Sequence, residues 1–158
     1  MPFRFSKSSS NRLLGVDPDI FRVARLAIQI TKIDFGIPLH GGLRTQAEQY
    51  ELFTAGLSKC DGYEKISSHQ TGEALDVYAF VDGKASWKEE HLAMVATAML
   101  QSASQLSIGL EWGGLWKSFI DMPHFQLQKK RPQLNIYNLL FGCSIFFLPT
   151  TLKSYDQY

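Results

Sequence analysis

The chain has 158 residues, 45% of them hydrophobic and 20% charged, with a formal net charge of +1. That length suits one domain with a single core, and the composition excludes a disordered or collagen-like chain. The near-neutral balance sets up no long-range field toward nucleic acid or anionic lipid, so no nucleic-acid partner is expected.

The N-terminal residues 1–11 are mostly polar, with no apolar run ahead of a cleavage site, so no signal peptide is expected. Within them, residues 6–11 carry four serines and read as an arm or loop. Asp17-Pro18 reads as an N-cap followed by proline at the first helical position. Ile20, Val23, Ala24, Ala27 and Ile28 then recur at helical spacing, which predicts an amphipathic helix over 18–31.

Residues 34–40 (DFGIPLH) are short and apolar, and the proline argues for an edge strand. After Gly41-Gly42 and Leu43-Arg44, a second helix is expected from Thr45, with Glu48 completing a capping box, to about Gly56. Arg44 thus sits where a strand turns into a helix. Residues 58–71 read as a loop reaching across a site. Residues 73–81 alternate well enough for one strand, closed by the turn Asp82-Gly83. Ser86 to Glu89 reads as a capping box opening the longest helix, to about Leu106, with Leu92, Val95, Ala96, Met99 and Ala103 inward. Strands are expected over 108–112 and, broken by Pro123, over 119–127. Short turns between the last strands point to an α+β fold, a small antiparallel sheet with flanking helices.

The domain is placed at 1–128 and a tail at 129–158. Residues 132–152 carry no charge, with Lys129, Lys130 and Arg131 before and Lys153 after. Gln133, Asn135, Asn138 and Pro149 interrupt the stretch, so packing on the domain or a partner protein is favoured over a membrane contact. Cys60 and Cys143 lie far apart and form no CxxC pair, which argues against a disulfide framework and against a thiolate zinc site.

Two histidines and two aspartates fall into two short segments, 67–77 (SSHQTGEALDV) and 121–125 (DMPHF). A catalytic zinc site takes three nitrogen or oxygen ligands and leaves a fourth position open to water. His69, Asp76 and His124 would supply the three, leaving Asp121 to handle the water's proton. No metal rule demands the spacing of His69 and Asp76, and a hydrogen-bonded loop histidine accounts for it as well. Asp76 is more telling, because a carboxylate in an apolar strand is costly unless paired or metal-bound. Trp112 and Trp116, around Gly113-Gly114, read as an aromatic wall or as core. Arg44 reads as a carboxylate or oxyanion contact, or as a surface ion pair. His40 and His91 read as structural.

Ser67-x-His69-x-x-Gly72-x-Ala74-x-Asp76 followed by Asp121-x-Pro123-His124-Phe125 resembles the zinc D-Ala-D-Ala carboxypeptidase and L-alanyl-D-glutamate endopeptidase family. That family includes VanY-type carboxypeptidases and phage endolysins and has a hedgehog-type α+β fold. Gly42-Leu43-Arg44-Thr45 with Gln49, the Trp112-Gly113-Gly114 run and Gly15-Val16-Asp17-Pro18-Asp19 resemble the phage endolysin branch. The resemblance runs from about Leu13 to Leu127. It implies that His69, Asp76 and His124 bind Zn2+, that Asp121 is the acidic catalytic residue, and that Arg44, Gln49 and Ser67 contact substrate, Arg44 also taking part in catalysis. The implied activity is hydrolysis of the L-Ala–D-Glu bond in the peptidoglycan stem peptide by a monomeric phage or prophage lysin. Such a lysin is made in the host cytoplasm and released to the cell wall by a partner holin. Removal of a terminal D-Ala, or a zinc-bearing wall-binding module without turnover, are the alternatives. Three positions depart from the family pattern: Leu115 where an acidic residue is common, Asp17 where a histidine often stands, and the tail beyond Arg131.

Overall fold

A computed structural model describes residues 2–129. The expectations for the uncharged tail and for Cys143 lie outside the described residues. Among the described residues, no helix is long and apolar enough to cross a membrane.

Two helices and the strands beside them make the core. Helix α2 (Pro18–Ile30) starts as its sequence predicts, with the Asp17 carboxylate accepting from the Asp19 amide at 2.8 Å. Its stripe of Ile20, Val23, Ala24, Ala27 and Ile28 is buried against α4 (Glu89–Gln105), which turns Leu92, Val95, Ala96, Met99 and Ala103 inward. Each large side chain so buried contributes roughly 1.5–3 kcal/mol. Helix α3 (Gln46–Thr54) is short, and its predicted capping box is present: Thr45 and Glu48 satisfy each other's backbone amides.

Three local expectations are corrected. The serine run is not an arm but a helix, α1 (Lys7–Arg12), capped by Ser6. It is held by tertiary bonds rather than propensity: buried Ser9 accepts from the Ile37 amide at 3.1 Å, and Arg12 donates to the Ile37 carbonyl at 2.6 Å. The box expected at Ser86 and Glu89 does not form. Ser86 is instead the end of a strand, and its hydroxyl bonds His91 Nδ1 at 2.8 Å, leaving Lys88 as an N-cap without a side-chain bond. The single strand expected over 73–81 is two strands in two sheets.

The first antiparallel sheet has the order β1-β3-β4, from β1 (Asp34–Gly36), β3 (Tyr78–Val81) and β4 (Lys84–Ser86). Asp82 and Gly83, both at positive φ, form the turn between β3 and β4. The second has the order β2-β6-β5, from β2 (Ala74–Asp76), β5 (Leu110–Trp112) and β6 (His124–Leu127). The chain changes sheets at Val77. Its amide makes the last β2–β6 ladder bond, to the Pro123 carbonyl at 3.1 Å, while the Asp76 amide, on the opposite edge of the strand, bonds the Gly41 carbonyl at 2.8 Å.

That second sheet positions the site. Side chains alternate between faces, so Leu75, Phe125 and Trp112 fall on one face and Asp76, His124, Gln126 and Glu111 on the other. The first face joins the core, with the Phe125 and Trp112 rings stacked at 6.4 Å. The second face carries the polar residues.

Candidate active site

Asp76 and His124 are directly opposite each other in the β2–β6 register. The ladder bonds fall at the neighbouring pairs, Leu127 amide to Glu73 carbonyl and Val77 amide to Pro123 carbonyl. Asp76 and His124 therefore form a non-hydrogen-bonded pair, the kind whose side chains approach most closely. Pro123, with no amide hydrogen, ends the ladder there.

The third residue arrives from the 58–73 loop. His69 is 2% exposed, and its ring meets the His124 ring edge-on at 5.1 Å. Two glycines permit this. Gly72 adopts φ +74°, and a Cβ there would lie 2.9 Å from the Gly15 carbonyl oxygen. At Gly42 a Cβ would lie 2.0 Å from the Arg12 carbonyl oxygen, so only glycine lets that backbone reach His69. The Gly42 carbonyl lies 2.9 Å from His69 Nδ1.

These contacts set the chemistry of the centre. A carbonyl only accepts, so His69 Nδ1 carries the proton and Nε2 presents a lone pair. Around the centre, Asp76 Oδ1 is 2.9 Å from His124 Nδ1 and 3.3 Å from His69 Nε2, and the two nitrogens are 3.3 Å apart. Three ligands on a tetrahedral zinc at its usual bond lengths are separated by roughly 3.3 Å, so the triangle is the right size for one face of such a site. Three lone pairs so close repel one another unless a cation sits among them. Two imidazoles and a carboxylate form a donor set that suits zinc. Among the described residues, these three are the group able to hold a metal ion.

The electrostatics agree. Burial alone would lift the Asp76 carboxyl, but the facing His69 and His124 hold it well below the usual carboxylate range. Burial works against charge on His124 as well, yet its bond to Asp76 and that carboxylate's charge raise it above 6.5. In a metal-free chain a proton does what a metal ion would do.

The second Asp76 oxygen, Oδ2, accepts from Arg44 Nη2. Arg44 also donates through Nε to the His40 carbonyl and through Nη1 to Gln49 Oε1 at 3.3 Å. Gln49, with no exposed surface, is held in turn by bonds from its amide nitrogen to Ser58 Oγ at 2.7 Å and the Cys60 carbonyl at 2.8 Å. The structure thus places Arg44 behind the Asp76 carboxylate. Gln49 sits behind Arg44, where it does not reach the cleft.

The centre opens into a cleft of about 440 Å3 lined by Ser67, Asp121, Trp116, Lys59 and Phe119 among others. Trp116 forms the aromatic wall, its ring 5.2 Å from that of His124, whereas Trp112 belongs to the core. The Ser67 oxygen accepts from the His69 amide at 3.3 Å and so braces the turn that carries the histidine. Asp121 lies half-buried. Burial raises its carboxyl above 3.8, and the nearby Asp76 charge raises it further, against the pull of His124, His69 and Arg44. Leu115 is exposed outside the cleft. His40 lies 3.7 Å from Glu48, and His91 bonds Ser86.

A family profile described as phage L-alanyl-D-glutamate peptidase matches residues 1–130. The chain belongs to that family. It is 34% identical over 119 residues to the L-alanyl-D-glutamate peptidase of Escherichia phage T5, covering 75% of this chain and 85% of the relative. Its fold is similar to that of the Serratia marcescens L-Ala D-Glu endopeptidase ChiX, with TM-score 0.71 and 40% identity over 80% of this chain and 91% of ChiX.

Sequence reasoning missed two residues on the polar sheet face. Gln126 Oε1 is 3.2 Å from His124 Nε2, and the Gln126 amide nitrogen donates to Glu111 Oε2 at 3.1 Å. The period-two pattern of β5 and β6 is the signal that puts both beside His124.

Proposed function

We propose that this peptidase is a zinc-dependent peptidoglycan endopeptidase that hydrolyses the L-Ala–D-Glu bond of the stem peptide. The observation that carries the reading is the convergence of His69 Nε2, Asp76 Oδ1 and His124 Nδ1 in a cleft that also holds the half-buried Asp121. A zinc ion held by those three would polarise the scissile carbonyl and lower the pKa of an attacking water toward about 7.

The chain's own residues supply the rest. Asp121 accepts the proton as the water oxygen bonds to the L-Ala carbonyl carbon. It returns that proton to the D-Glu nitrogen as the carbon–nitrogen bond breaks. Half-buried in the cleft beside the three ligands, its carboxylate is placed for both halves of that task. Arg44 fixes one oxygen of Asp76 so that the other faces the histidines. Trp116 walls the cleft and Ser67 lines it, within reach of a bound peptide.

Lys59 supplies charge complementarity. D-Glu has two carboxyl groups and the peptide continues through one, so an unmodified substrate brings an anion into a cleft that already holds Asp76 and Asp121. Arg44 is committed to the protein. Lys59, its ammonium 3.9 Å from the centre of the Phe119 ring, is the other lysine or arginine lining the cleft among the described residues. We assign it to the substrate carboxylate. The enzyme acts on the wall after release from the host cytoplasm, as a lysin of a phage or prophage would.

The test is product analysis. Purified peptidoglycan digested by the chain and followed by mass spectrometry should yield fragments with a new D-Glu amino terminus, and chelator should stop their release. Loss of D-Ala instead would make it a carboxypeptidase, and bound zinc without digestion would make it a wall-binding module.

A further inference from the structure

We propose that Glu111 selects the metal-binding nitrogen of His124 by fixing which end of the Gln126 amide faces the imidazole. The inference rests on the reading of His69, Asp76 and His124 as zinc ligands.

Glu111 and Gln126 are directly opposite in the β5–β6 register, and His124 lies two residues along β6 on the same face. Their side chains form a chain of bonds. Glu111 Oε2 meets the Gln126 nitrogen at 3.1 Å, and Gln126 Oε1 meets His124 Nε2 at 3.2 Å. Ser68 Oγ approaches the same Gln126 oxygen at 3.2 Å.

An amide side chain can be turned end for end at almost no steric cost, so its orientation depends on its partners. His124 Nε2 and Ser68 Oγ can each donate or accept, and neither settles the matter. Glu111 is different, because a carboxylate only accepts. It takes the NH2 end of Gln126 and so leaves the carbonyl end toward His124. That carbonyl needs a proton on Nε2, which frees the Nδ1 lone pair for the metal. His69 has the same service from the Gly42 carbonyl, a backbone group that no side-chain exchange removes. For His124 the service depends on two side chains. Glu111 touches neither metal nor substrate in this scheme and is a positioning residue.

Zinc affinity, measured by competition with a chromogenic chelator, tests this apart from activity. In Glu111→Leu the amide is free to turn its NH2 end to His124 Nε2, which favours the wrong tautomer. Affinity should fall about 10–100-fold, the usual cost of losing such a partner. The metal-free chain should melt near the wild-type temperature, and activity at saturating zinc should recover. Glu111→Gln can present either end of its own amide to Gln126, so it no longer dictates the orientation and should lose part of the affinity, though less than Glu111→Leu. Adding Gln126→Glu to Glu111→Leu should restore it, since a carboxylate then accepts directly from Nε2.

Unchanged affinity in Glu111→Leu, or loss that Gln126→Glu does not repair, overturns the inference while the metal site stands. A wild-type chain that binds no zinc overturns the site itself. Should Glu111→Leu not fold, the exchange Glu111→Gln with Gln126→Glu takes its place. It is expected to bind zinc at least as tightly as wild type, and weaker binding there refutes the proposal.

Discussion

Replacing Arg44 with methionine separates the two roles that this arginine can have. The structure gives it three partners at once: the His40 carbonyl, Gln49 Oε1 and Asp76 Oδ2. Its side chain is 10% exposed and that of Asp76 19%, so the pair is largely shielded from water. Breaking a buried pair by removing one partner costs about 3–5 kcal/mol, because a charge is left uncompensated. At roughly 2–4 °C per kcal/mol for a chain of this size, the metal-free variant should melt roughly 6–20 °C below wild type. Zinc should recover part of that loss, since the ion takes over compensation of Asp76. Its affinity should still fall about 10–100-fold, because one carboxylate oxygen is no longer held. Thermal melts with and without zinc, a chelator competition and steady-state kinetics would be run on the same preparations. A variant that melts and binds zinc as wild type but has a raised KM would refute the reasoning and make Arg44 a substrate contact.

Asp121→Asn should leave zinc affinity unchanged and lower kcat about 10²–10⁴-fold. Because burial and Asp76 raise the Asp121 carboxyl, the base form is lost as pH falls through a value above 3.8. In metal-stripped protein followed by NMR, that carboxyl should therefore titrate above an ordinary aspartate, and a value at or below 3.8 would refute the electrostatic reading. The acid limb of wild-type kcat/KM should be missing from the residual activity of Asp121→Asn, and its persistence would assign it to another group. Lys59→Met should raise KM for stem peptides with a free D-Glu carboxylate and leave KM for amidated ones unchanged; equal effects on both would remove Lys59 from substrate recognition. Thr45→Ala should cost about 1 kcal/mol of stability through loss of the helix cap. The Thr45 backbone and hydroxyl hold Glu48 below 4.5, so its stabilising contribution is complete above 4.5 and lost as pH falls through the lower folded value. Urea melts across that range should show a shallower acid decline in Thr45→Ala than in wild type.

The parts of the fold written in short-range pattern were legible in the sequence. Asp17-Pro18, the stripe of α2 and the Thr45–Glu48 box each depend on neighbours a few residues apart. The change of sheet at Val77 was not, because 73–81 alternates without a break. Only the pairing divides it, 74–76 lying against β6 and 78–81 against β1 and β4. Ser86 fits a capping box locally, yet strand pairing with Ala79 and the bond to His91 claim it first. Of the site, the structure brings His69, Asp76 and His124 together as their residue types predict. The work of Arg44 and Gln49 could not be read from composition, since burial decides it: both look like exposed polar residues at a helix start, and both face inward. The period of two puts Gln126 on the face of His124, but nothing in the sequence sets Glu111 opposite it until β5 pairs with β6.

The most direct test of the account is zinc titration into a metal-stripped sample while cleavage of a defined L-Ala–D-Glu stem peptide is followed. Cleavage should be absent without metal, rise with added zinc and level off at about one ion per chain, and His69→Ala should abolish that stoichiometric response. Full cleavage by a chain shown to hold no metal, or a response indifferent to His69, would contradict it.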